Sequence, residues 1–372
     1  MKTSMLVAVV FASALLLASP TAGRSQLNAT ANTPMRVAIV GLVHPHAGAV
    51  WDLLRRPEVK VVGICEPNAE VTAQYVIKGL DKSLLFSDEA DMIEKTHPQA
   101  ILIYTTTYDH RRVVEIAARY GVHAMMEKPL AVSNEDAQAI ANAARAGKIQ
   151  VLVNFATTWY PNSTAAYNVL HDKSIGEARK IVVLDGHSSP RQLTGPLGWL
   201  ADPKLNGGGA LFDFGCYGAN LVTWLMDGQR PTSVTAVMQT FKPNIYPNVD
   251  DEATIILTYP KAQAILQASW NWPFDRKDME VYAENGYAIT VGTDSLRVRR
   301  LGKREEQIVA QPPASPQDET LSYLRAVVLD GIKPVGPSSL ETNIIATEIL
   351  DAARESARTG RRIDLGPPVS RN

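Results

Sequence analysis

The segment HAMMEKPL, residues 123–130, joins a short apolar strand to a charged corner. Pro129 fixes its own φ and keeps Lys128 out of the helical region, so the lysine lies on an extended corner. A helical pattern resumes at Ser133. In an open α/β sheet, ligands bind at the carboxyl ends of strands, and a lysine held there can donate or accept a proton if burial lowers its pKa. Lys128 is therefore a candidate catalytic residue, provided that such a sheet surrounds it.

Strand and helix patterns alternate on both sides of this segment. Apolar runs predict strands at residues 36–40, 59–65, 84–86, 100–104, 123–126 and 150–154. Helical patterns lie between them at residues 46–55, 68–77, 87–95, 109–120 and 133–146. Such β-α alternation predicts a parallel, doubly wound sheet of the Rossmann type. We assign this α/β domain to residues 35–155.

The pattern changes beyond residue 156. A helix at residues 163–171 and a strand at 178–187 precede a glycine-rich corner that opens a helix at 207–224. Short strands are then predicted at residues 232–240, 252–259, 263–270, 279–283, 287–291, 296–300 and 307–310, followed by helices at 317–330 and 340–358. Short strands separated by turn residues are typical of an antiparallel sheet. Residues 156–365 are therefore predicted to form an α+β domain with an open, mainly antiparallel sheet.

The first residues have the pattern of an export signal rather than of a folded domain. Lys2 precedes an apolar run at residues 5–18 and small residues up to Gly23, which predicts a secretory signal peptide over residues 1–23. The run is too short to span a bilayer stably, so no membrane association is expected after its removal. No cysteine follows it and no Arg-Arg pair precedes it, which disfavours a lipoprotein and a twin-arginine signal. Residues 24–34 are predicted to be a disordered lead-in, and the mature protein is expected to be exported, most simply to a bacterial periplasm.

Composition narrows the class of protein further. The chain has 372 residues, which suits two domains with their own cores. Its 37 basic and 38 acidic residues give a net charge of −1 without a long run of one sign, so no nucleic-acid-binding surface is expected. The only cysteines, Cys65 and Cys216, follow apolar residues and are predicted to be two core thiols, although an exported protein could pair them.

The loop after the first predicted strand occupies the position of a dinucleotide fingerprint, G-x-G-x-x-G. Gly41 supplies the tight turn, and the helix N-terminus behind it can hold a pyrophosphate. Val43 and His46 stand where the second and third glycines belong, so the match is poor. His44 and His46 are candidates for contact with phosphate or substrate. The two histidines alone offer too few ligands for a metal ion, so no metal site is expected.

Two further strand ends offer candidate cofactor contacts. Glu66 ends the second strand, 25 positions after Gly41 (66 − 41), where a carboxylate suits the adenosine ribose hydroxyls; a solvated loop glutamate is an equally good interpretation. No Arg or Lys follows Glu66 within three residues, so a 2′-phosphate would be repelled and NAD is favoured over NADP. Thr105 and Thr106 follow the strand at residues 100–104 and could either line the cofactor or cap the next helix.

The run GGGALFDFGCY, residues 207–217, is the densest signal in the second half of the chain. If a helix begins near Gly209, Asp213 and Tyr217 lie four residues apart and share one face. Both side chains can bond a substrate hydroxyl or relay its proton. Consecutive glycines weaken a helix start, so they favour a close approach of the backbone to a ligand over a purely structural helix.

Taken together, Gly41, the E-K-P motif at residues 127–129 and the run at residues 207–217 resemble the Gfo/Idh/MocA family, the glucose-fructose oxidoreductase and inositol dehydrogenase group. The similarity extends from Arg36 to about Leu365. The resemblance implies a nicotinamide cofactor and a sugar, cyclitol or related polyol as substrate. It also implies a homo-oligomer formed through the open C-terminal sheet.

The resemblance assigns roles to individual residues. Lys128 matches the family's proton-handling lysine, Asp213 the helix acid that bonds the substrate, and Tyr217 a position that carries His or Tyr. The candidate cofactor contacts, of which Gly41 and Glu66 match family positions, are Gly41, His44, His46, Glu66, Thr105, Thr106, Glu127 and Lys128. The candidate substrate contacts are Trp159, His187, Trp199 and the run at residues 270–274, although tryptophan is also common in cores.

Three hypotheses of function stay open at this point. The first is an oxidoreductase that moves a hydride between a carbinol carbon and tightly bound NAD, with Lys128 as acid and base. Tight binding is expected because an exported enzyme has no free NAD pool. The second is a redox-neutral, glycoside-cleaving enzyme that uses bound NAD for transient oxidation. The third is a sugar-binding or sensory protein that retains the fold without the chemistry.

Overall fold

The computed structural model describes residues 33–188 and 195–366. The predicted signal peptide at residues 1–23 and most of the predicted lead-in at 24–34 lie outside this part of the chain. From Met35 onward the chain forms one compact unit. Among the helices of the described ranges, none combines the length and the apolar character needed to cross a membrane.

The first half folds into the predicted parallel sheet. Its strands are β1 (Met35–Val40), β2 (Val59–Cys65), β3 (Leu85–Phe86), β4 (Ala100–Ile103), β5 (His123–Glu127) and β6 (Val151–Asn154). Every neighbouring pair is parallel, in the order β3-β2-β1-β4-β5-β6. The connecting helices are α1 (Val50–Leu53), α2 (Ala69–Ile77), α3 (Glu89–Thr96), α4 (His110–Arg119) and α5 (Asn134–Gly147). This is the doubly wound Rossmann order, so the predicted fold class is confirmed for this half.

Side-chain caps set several of these helix starts. The side chains of Asn68, Asp88 and Ser133 accept hydrogen bonds from backbone N–H groups in the first turns of α2, α3 and α5, respectively. Each cap satisfies an N–H group that has no partner within its own helix. The predicted starts of these helices therefore agree with the structure to within two residues.

The helix predicted at residues 46–55 is the exception. The chain instead forms a 3₁₀ helix at Pro45–Ala49, followed by the single turn α1. Nδ1 of His44 accepts a hydrogen bond from the backbone N–H of His46 at 3.1 Å, which caps the 3₁₀ segment. The prediction of one continuous helix was wrong, because this local cap and Pro45 favour a tighter turn directly after the glycine loop.

The second half folds around a nine-stranded sheet. Its strands are β7 (Ala178–Ser188), β8 (Ser233–Gln239), β9 (Glu252–Thr258), β10 (Gln263–Ser269), β11 (Asn271–Ala283), β12 (Gly286–Val291), β13 (Ser295–Arg300), β14 (Glu306–Val309) and β15 (Ile363–Asp364). The order is β14-β13-β12-β11-β7-β10-β9-β8-β15, and only β7 and β10 pair in parallel. The prediction of a mainly antiparallel sheet is confirmed. Strand β11 begins eight residues before the predicted strand at 279–283 (279 − 271).

One face of this sheet is covered by helices. The helices of this half are α6 (Pro161–His171), α7 (Pro203–Asn206), α8 (Ala210–Asp213), α9 (Gly215–Leu225), α10 (Thr320–Leu329) and α11 (Leu340–Thr359). Helix α11 packs against α9 and β8 and also against α5 of the first half. A single cluster of buried apolar side chains therefore runs from Ala38 of the first sheet through Phe155 and Tyr217 to Leu350. The two sheets thus share part of their core, since α11 packs between them.

The helix predicted at residues 207–224 is broken. Helix α8 ends at Asp213 and α9 begins at Gly215. A Cβ atom added to Gly209 would lie 1.8 Å from the backbone oxygen of Asp250, so the chain passes itself there too closely for any side chain. The Asp250 carboxylate also accepts the backbone N–H groups of Gly209 at 2.9 Å and Leu211 at 2.6 Å. The close approach at Gly209 is thus to the chain's own backbone, and the prediction that it serves a ligand was wrong at this position.

The Gly209→Ala variant is expected to lose at least about 2 kcal/mol of unfolding free energy, because the added methyl group overlaps the Asp250 carbonyl. Urea denaturation measures the loss. Gly48→Ala is the matched control, since a Cβ atom there has no neighbour within 4 Å. Equal stability of the two variants would show that the backbone at Asp250 can move away from the added methyl group at little cost.

Candidate active site

Lys128 lies at the carboxyl end of β5 and reaches the break between α8 and α9. Its Nζ donates a hydrogen bond to Oδ1 of Asp213 at 2.5 Å and another to the Asp213 backbone oxygen at 3.0 Å. Nε1 of Trp270 donates to the other carboxylate oxygen, Oδ2, at 2.8 Å. All three side chains are buried. The lysine and the carboxylate are therefore held in one geometry by fixed partners.

Opposite charges decide the protonation of this pair. Burial by itself would lower the pKa of Lys128, but the Asp213 carboxylate and nearby groups outweigh it, and the pKa is raised above its ordinary value. Burial likewise opposes ionisation of Asp213, yet Lys128 and the Trp270 N–H hold the pKa of that carboxyl below its usual range. In this geometry Lys128 is an ammonium at neutral pH. It is a proton donor in that state, and it becomes an acceptor only after losing its proton.

Aromatic rings border the lysine on the side of α9. Nζ of Lys128 lies 5.2 Å from the ring centroid of Tyr217 and 5.8 Å from that of Phe214. The His187 ring meets Phe214 edge to face, with centroids 4.6 Å apart. Burial, the largest influence, raises the pKa of Tyr217, so its hydroxyl remains protonated at neutral pH. The structure thus brings Asp213, Tyr217 and His187 to Lys128, although Asp213 and Tyr217 lie on separate helices.

His110 supports the corner that carries Lys128. Its Nδ1 lies 3.1 Å from the backbone oxygen of Pro129 and 3.2 Å from that of Leu130, and the Lys128–Pro129 peptide bond is cis. Burial lowers the pKa of His110 to about 4, so the ring is neutral and Nδ1 carries the proton that it donates. His110 begins α4, and it therefore ties that helix to the corner that carries Lys128.

His44, His46 and Glu127 form a second polar cluster beside the first. Oε2 of Glu127 lies 2.9 Å from Nδ1 of His46, and Oε1 accepts from Asn154 Nδ2 at 3.0 Å. One ligand atom from each of the two histidines and the glutamate lies within 4.8 Å of the others, a set that can hold a metal ion. Glu127 adds a third potential ligand to the two histidines, which is visible only in the folded chain. Nδ1 of His44 and both Glu127 oxygens already have protein partners, and a metal ion would have to displace some of them.

Four of the candidate cofactor residues, Gly41, Glu66, Thr105 and Thr106, line a cavity of about 420 Å³. His46 and Glu127 line a different cavity. Gly41 has φ of +85°, and a Cβ there would lie 2.6 Å from the Thr105 side chain, so only glycine allows this loop. Glu66 accepts the backbone N–H of Leu42 at 2.7 Å, which anchors the glycine turn.

A dinucleotide fits this arrangement of groups. The Glu66 carboxylate ends β2, where ribose hydroxyls are bonded in Rossmann folds, and the threonine hydroxyls follow β4. Arg112 also lines the cavity, but it pairs with Glu89 at 3.3 Å. NAD therefore remains favoured over NADP. The substitution of Val43 for glycine does not close the cavity.

Three of the candidate substrate contacts, Trp159, His187 and Trp199, lie in three different places. His187 is beside Phe214 at the Lys128 site, as described above. Trp199 donates from Nε1 to the backbone oxygen of Val43 at 3.2 Å and lies next to His44, so it packs on the glycine loop. Trp159 donates to Asn154 at 2.9 Å and lines a separate cavity of about 740 Å³.

Two residues at the site have no counterpart among the sequence-based candidates. Lys277 of β11 places its Nζ 5.5 Å from the Tyr217 ring centroid and 5.7 Å from that of Phe214. Asp185 of β7 is its direct cross-strand neighbour, and it is 1% exposed. Lys277 was missed because the predicted strand began at Met279. The acid within the apolar run at residues 181–186 was a signal that could have identified Asp185.

Two family models and several known proteins match this chain. A family model described as an oxidoreductase family with an NAD-binding Rossmann fold matches residues 35–155. The GFO/IDH/MocA C-terminal domain matches residues 164–289. The trans-1,2-dihydrobenzene-1,2-diol dehydrogenase of Xenopus laevis is 32% identical over 164 residues, which is 43% of this chain and 46% of the relative. The D-apiose dehydrogenase of Paraburkholderia graminis is 30% identical over 118 residues, 32% of this chain and 31% of the relative. The chain thus matches less than half the length of these curated relatives.

Solved structures resemble the whole described fold. The aldose-aldose oxidoreductase from Caulobacter crescentus complexed with glycerol superposes with a TM-score of 0.77 at 21% identity, covering 90% of this chain and 100% of that one. An inositol dehydrogenase homolog complexed with NAD⁺ from Azotobacter vinelandii gives 0.75 at 18% identity, covering 90% and 98%. At such identities the likeness shows the fold alone. The two family models, one on each sheet, show that the chain belongs to the Gfo/Idh/MocA family of oxidoreductases, with an NAD-binding Rossmann domain.

Proposed function

We propose that this protein moves a hydride between a carbinol carbon of a sugar, cyclitol or related polyol and tightly bound NAD, with Lys128 as acid and base. The observation that carries the proposal is the buried Lys128–Asp213 pair at the carboxyl end of β5, held by Trp270. A purely structural lysine would have no need of such an arrangement at the ligand-binding edge of a Rossmann sheet.

The residues divide the chemistry between them. NAD, when bound, supplies the hydride acceptor or donor. A hydride leaves a neutral alcohol poorly, so a group within hydrogen-bond reach must take the hydroxyl proton. Lys128 takes that proton during oxidation and returns it during reduction. Asp213 orients the lysine and stabilises its ammonium, and Tyr217 and His187 border the position of the reacting hydroxyl.

Opposite pH dependences are expected for the two directions of reaction. The pKa of Lys128 is raised above its ordinary value, so the ammonium needed for reduction predominates at neutral pH, whereas the neutral amine needed for oxidation is scarce. Oxidation of a polyol should therefore accelerate as the pH rises towards 10, and reduction of the matching carbonyl compound should slow there. Initial rates followed at the absorbance band of reduced nicotinamide measure both. Oxidation that is fastest at acidic pH would contradict Lys128 as the base.

Experiments on the purified protein distinguish hydride transfer from redox-neutral cleavage and from sugar binding without chemistry. Mass spectrometry should find NAD that co-purifies, because the signal-like pattern at residues 1–23 supports export to a compartment without free NAD. A panel of sugars, polyols and aryl glycosides should then change the reduced-nicotinamide absorbance. Release of an aglycone without net reduction would replace the proposal by redox-neutral cleavage. Neither bound dinucleotide nor a spectral change would favour a sugar-binding protein.

A further inference from the structure

We propose that Lys277 binds a carboxylate group of the substrate, so that the site prefers sugar acids to neutral sugars. This inference rests on the proposed function, because it concerns the substrate of that same site. It arises from a second ammonium group that shares the aromatic border of Lys128 but has no counter-charge.

Lys277 is placed at the substrate position by the register of the second sheet. Strand β11 runs antiparallel to β7, and Lys277 lies directly opposite Asp185, so both side chains project from the same face. Lys277 extends past Asp185 to the rings of Phe214 and Tyr217, at 5.7 and 5.5 Å from their centroids. Lys128 approaches the same two rings at 5.8 and 5.2 Å. Two ammonium groups therefore border one pair of rings.

Only one of these ammonium groups is neutralised. Lys128 is paired with Asp213, whereas the side chain of Lys277 makes no ion pair or hydrogen bond within the described part of the chain. Neither oxygen of Asp185 has a hydrogen-bond partner, which excludes a direct bond from Lys277 to it. Burial raises the pKa of Asp185 well above its ordinary value, which disfavours its carboxylate form as a counter-charge. The positive charge of Lys277 is thus left for another group.

None of the other charged or titratable side chains near Lys277 in the described ranges balances its positive charge. Asp278, the residue after Lys277, already forms an ion pair with Arg276 at 2.7 Å. Burial lowers the pKa of His187, which leaves this ring neutral at physiological pH. Asp275 is exposed, where solvent and salt screen its charge.

The ammonium group of Lys277 determines which ligand group would bind it. Cation–π contact is worth only about 0.5–2 kcal/mol, and the three N–H donors of this half-buried lysine have no acceptor among the described residues. Sugar hydroxyls can accept these bonds but bring no charge. A carboxylate supplies both hydrogen-bond acceptors and a negative charge. Its one negative charge balances the one positive charge of Lys277. Uronic and aldonic acids are therefore the substrate class that the site fits, with the reacting hydroxyl at Lys128.

The test compares matched substrates on the wild-type protein and two lysine variants. Glucuronate and glucose, and galacturonate and galactose, differ only in the carboxylate. The wild type should prefer each acid by at least about tenfold in kcat/KM, and Lys277→Met should remove that preference chiefly through a higher KM for the acid. Lys180→Met is the control, because Lys180 lies on the opposite face of β7, bonded to Gln263, and its loss should leave the preference unchanged.

The outcomes separate this inference from the proposed function. Calorimetric titration of the NAD-loaded protein with glucuronate measures binding without turnover, and Lys277→Met should weaken it by about tenfold or more. Binding that depends on Lys277 without any hydride transfer would overturn the proposed function and retain this inference. Equal turnover of acids and neutral sugars by the wild type, or better turnover of sugar phosphates, would overturn the inference alone. Far-UV circular dichroism and the content of bound NAD establish that each variant is folded.

Discussion

The Lys128→Met variant is expected to lose hydride transfer by about 10²- to 10⁴-fold, since methionine fills the same space but cannot accept or donate the hydroxyl proton. Its KM should change much less than its kcat, because the rings of Phe214 and Tyr217 and the Glu66 cavity are left in place. The measurement is steady-state oxidation of the best polyol found in the sugar panel. NAD should remain bound in the variant, as mass spectrometry can show.

Lys180→Met serves as the control for this variant too, since it makes the same chemical change at a lysine that forms a solvent-exposed hydrogen bond with Gln263. The loss of Lys128 leaves the Asp213 carboxylate buried with Trp270 as its remaining side-chain partner, and some stability is lost as a result. Activity should therefore be measured well below the melting temperature. If Lys128→Met turns over at the wild-type rate, another group handles the proton.

The Asp213→Leu variant is expected to lose about 3–5 kcal/mol of unfolding free energy at pH 7, because the Lys128 ammonium is then buried without its counter-charge. Burial then lowers the pKa of Lys128 below its ordinary value of about 10.4. At every pH below that lowered pKa, the buried ammonium of Lys128 lowers the free energy of unfolding of the variant by its full amount. The cost shrinks as the pH rises towards the ordinary value, where the lysine is neutral in both states.

Urea unfolding at pH 7 and near pH 10 measures this dependence. The double variant Lys128→Met with Asp213→Leu should recover most of the loss at pH 7, since it removes both charges of the pair. The same double variant remains inactive, which separates stability from chemistry. A loss that is equal at both pH values would show that Asp213 stabilises the fold through the Trp270 bond instead.

Hydrophobic patterns were sufficient for the architecture and for part of the site. The alternation of apolar strands with capped helices predicted the parallel sheet, and it placed Lys128 at a strand's carboxyl end. The order of the motifs then linked that lysine to Asp213, which lies 85 residues away (213 − 128) and bonds it directly. Local signals failed where a distant contact decides the backbone, as at Gly209, which approaches Asp250 and directly precedes the start of α8, three residues after the predicted start at 207 (210 − 207).

What the sequence by itself determined is the order of elements, the family resemblance and the choice of Lys128 as the candidate acid and base. These follow from local periodicity and from motifs, which can be recognised within each segment without knowledge of its tertiary contacts. Only the tertiary structure decided the surroundings of that lysine, namely its ion pair, the Trp270 bond and the unpaired Lys277 opposite Asp185. Strand register and burial set these contacts, and both depend on residues far apart in the chain. Lys128 is therefore a prediction of the sequence, whereas its charge state is a property of the fold.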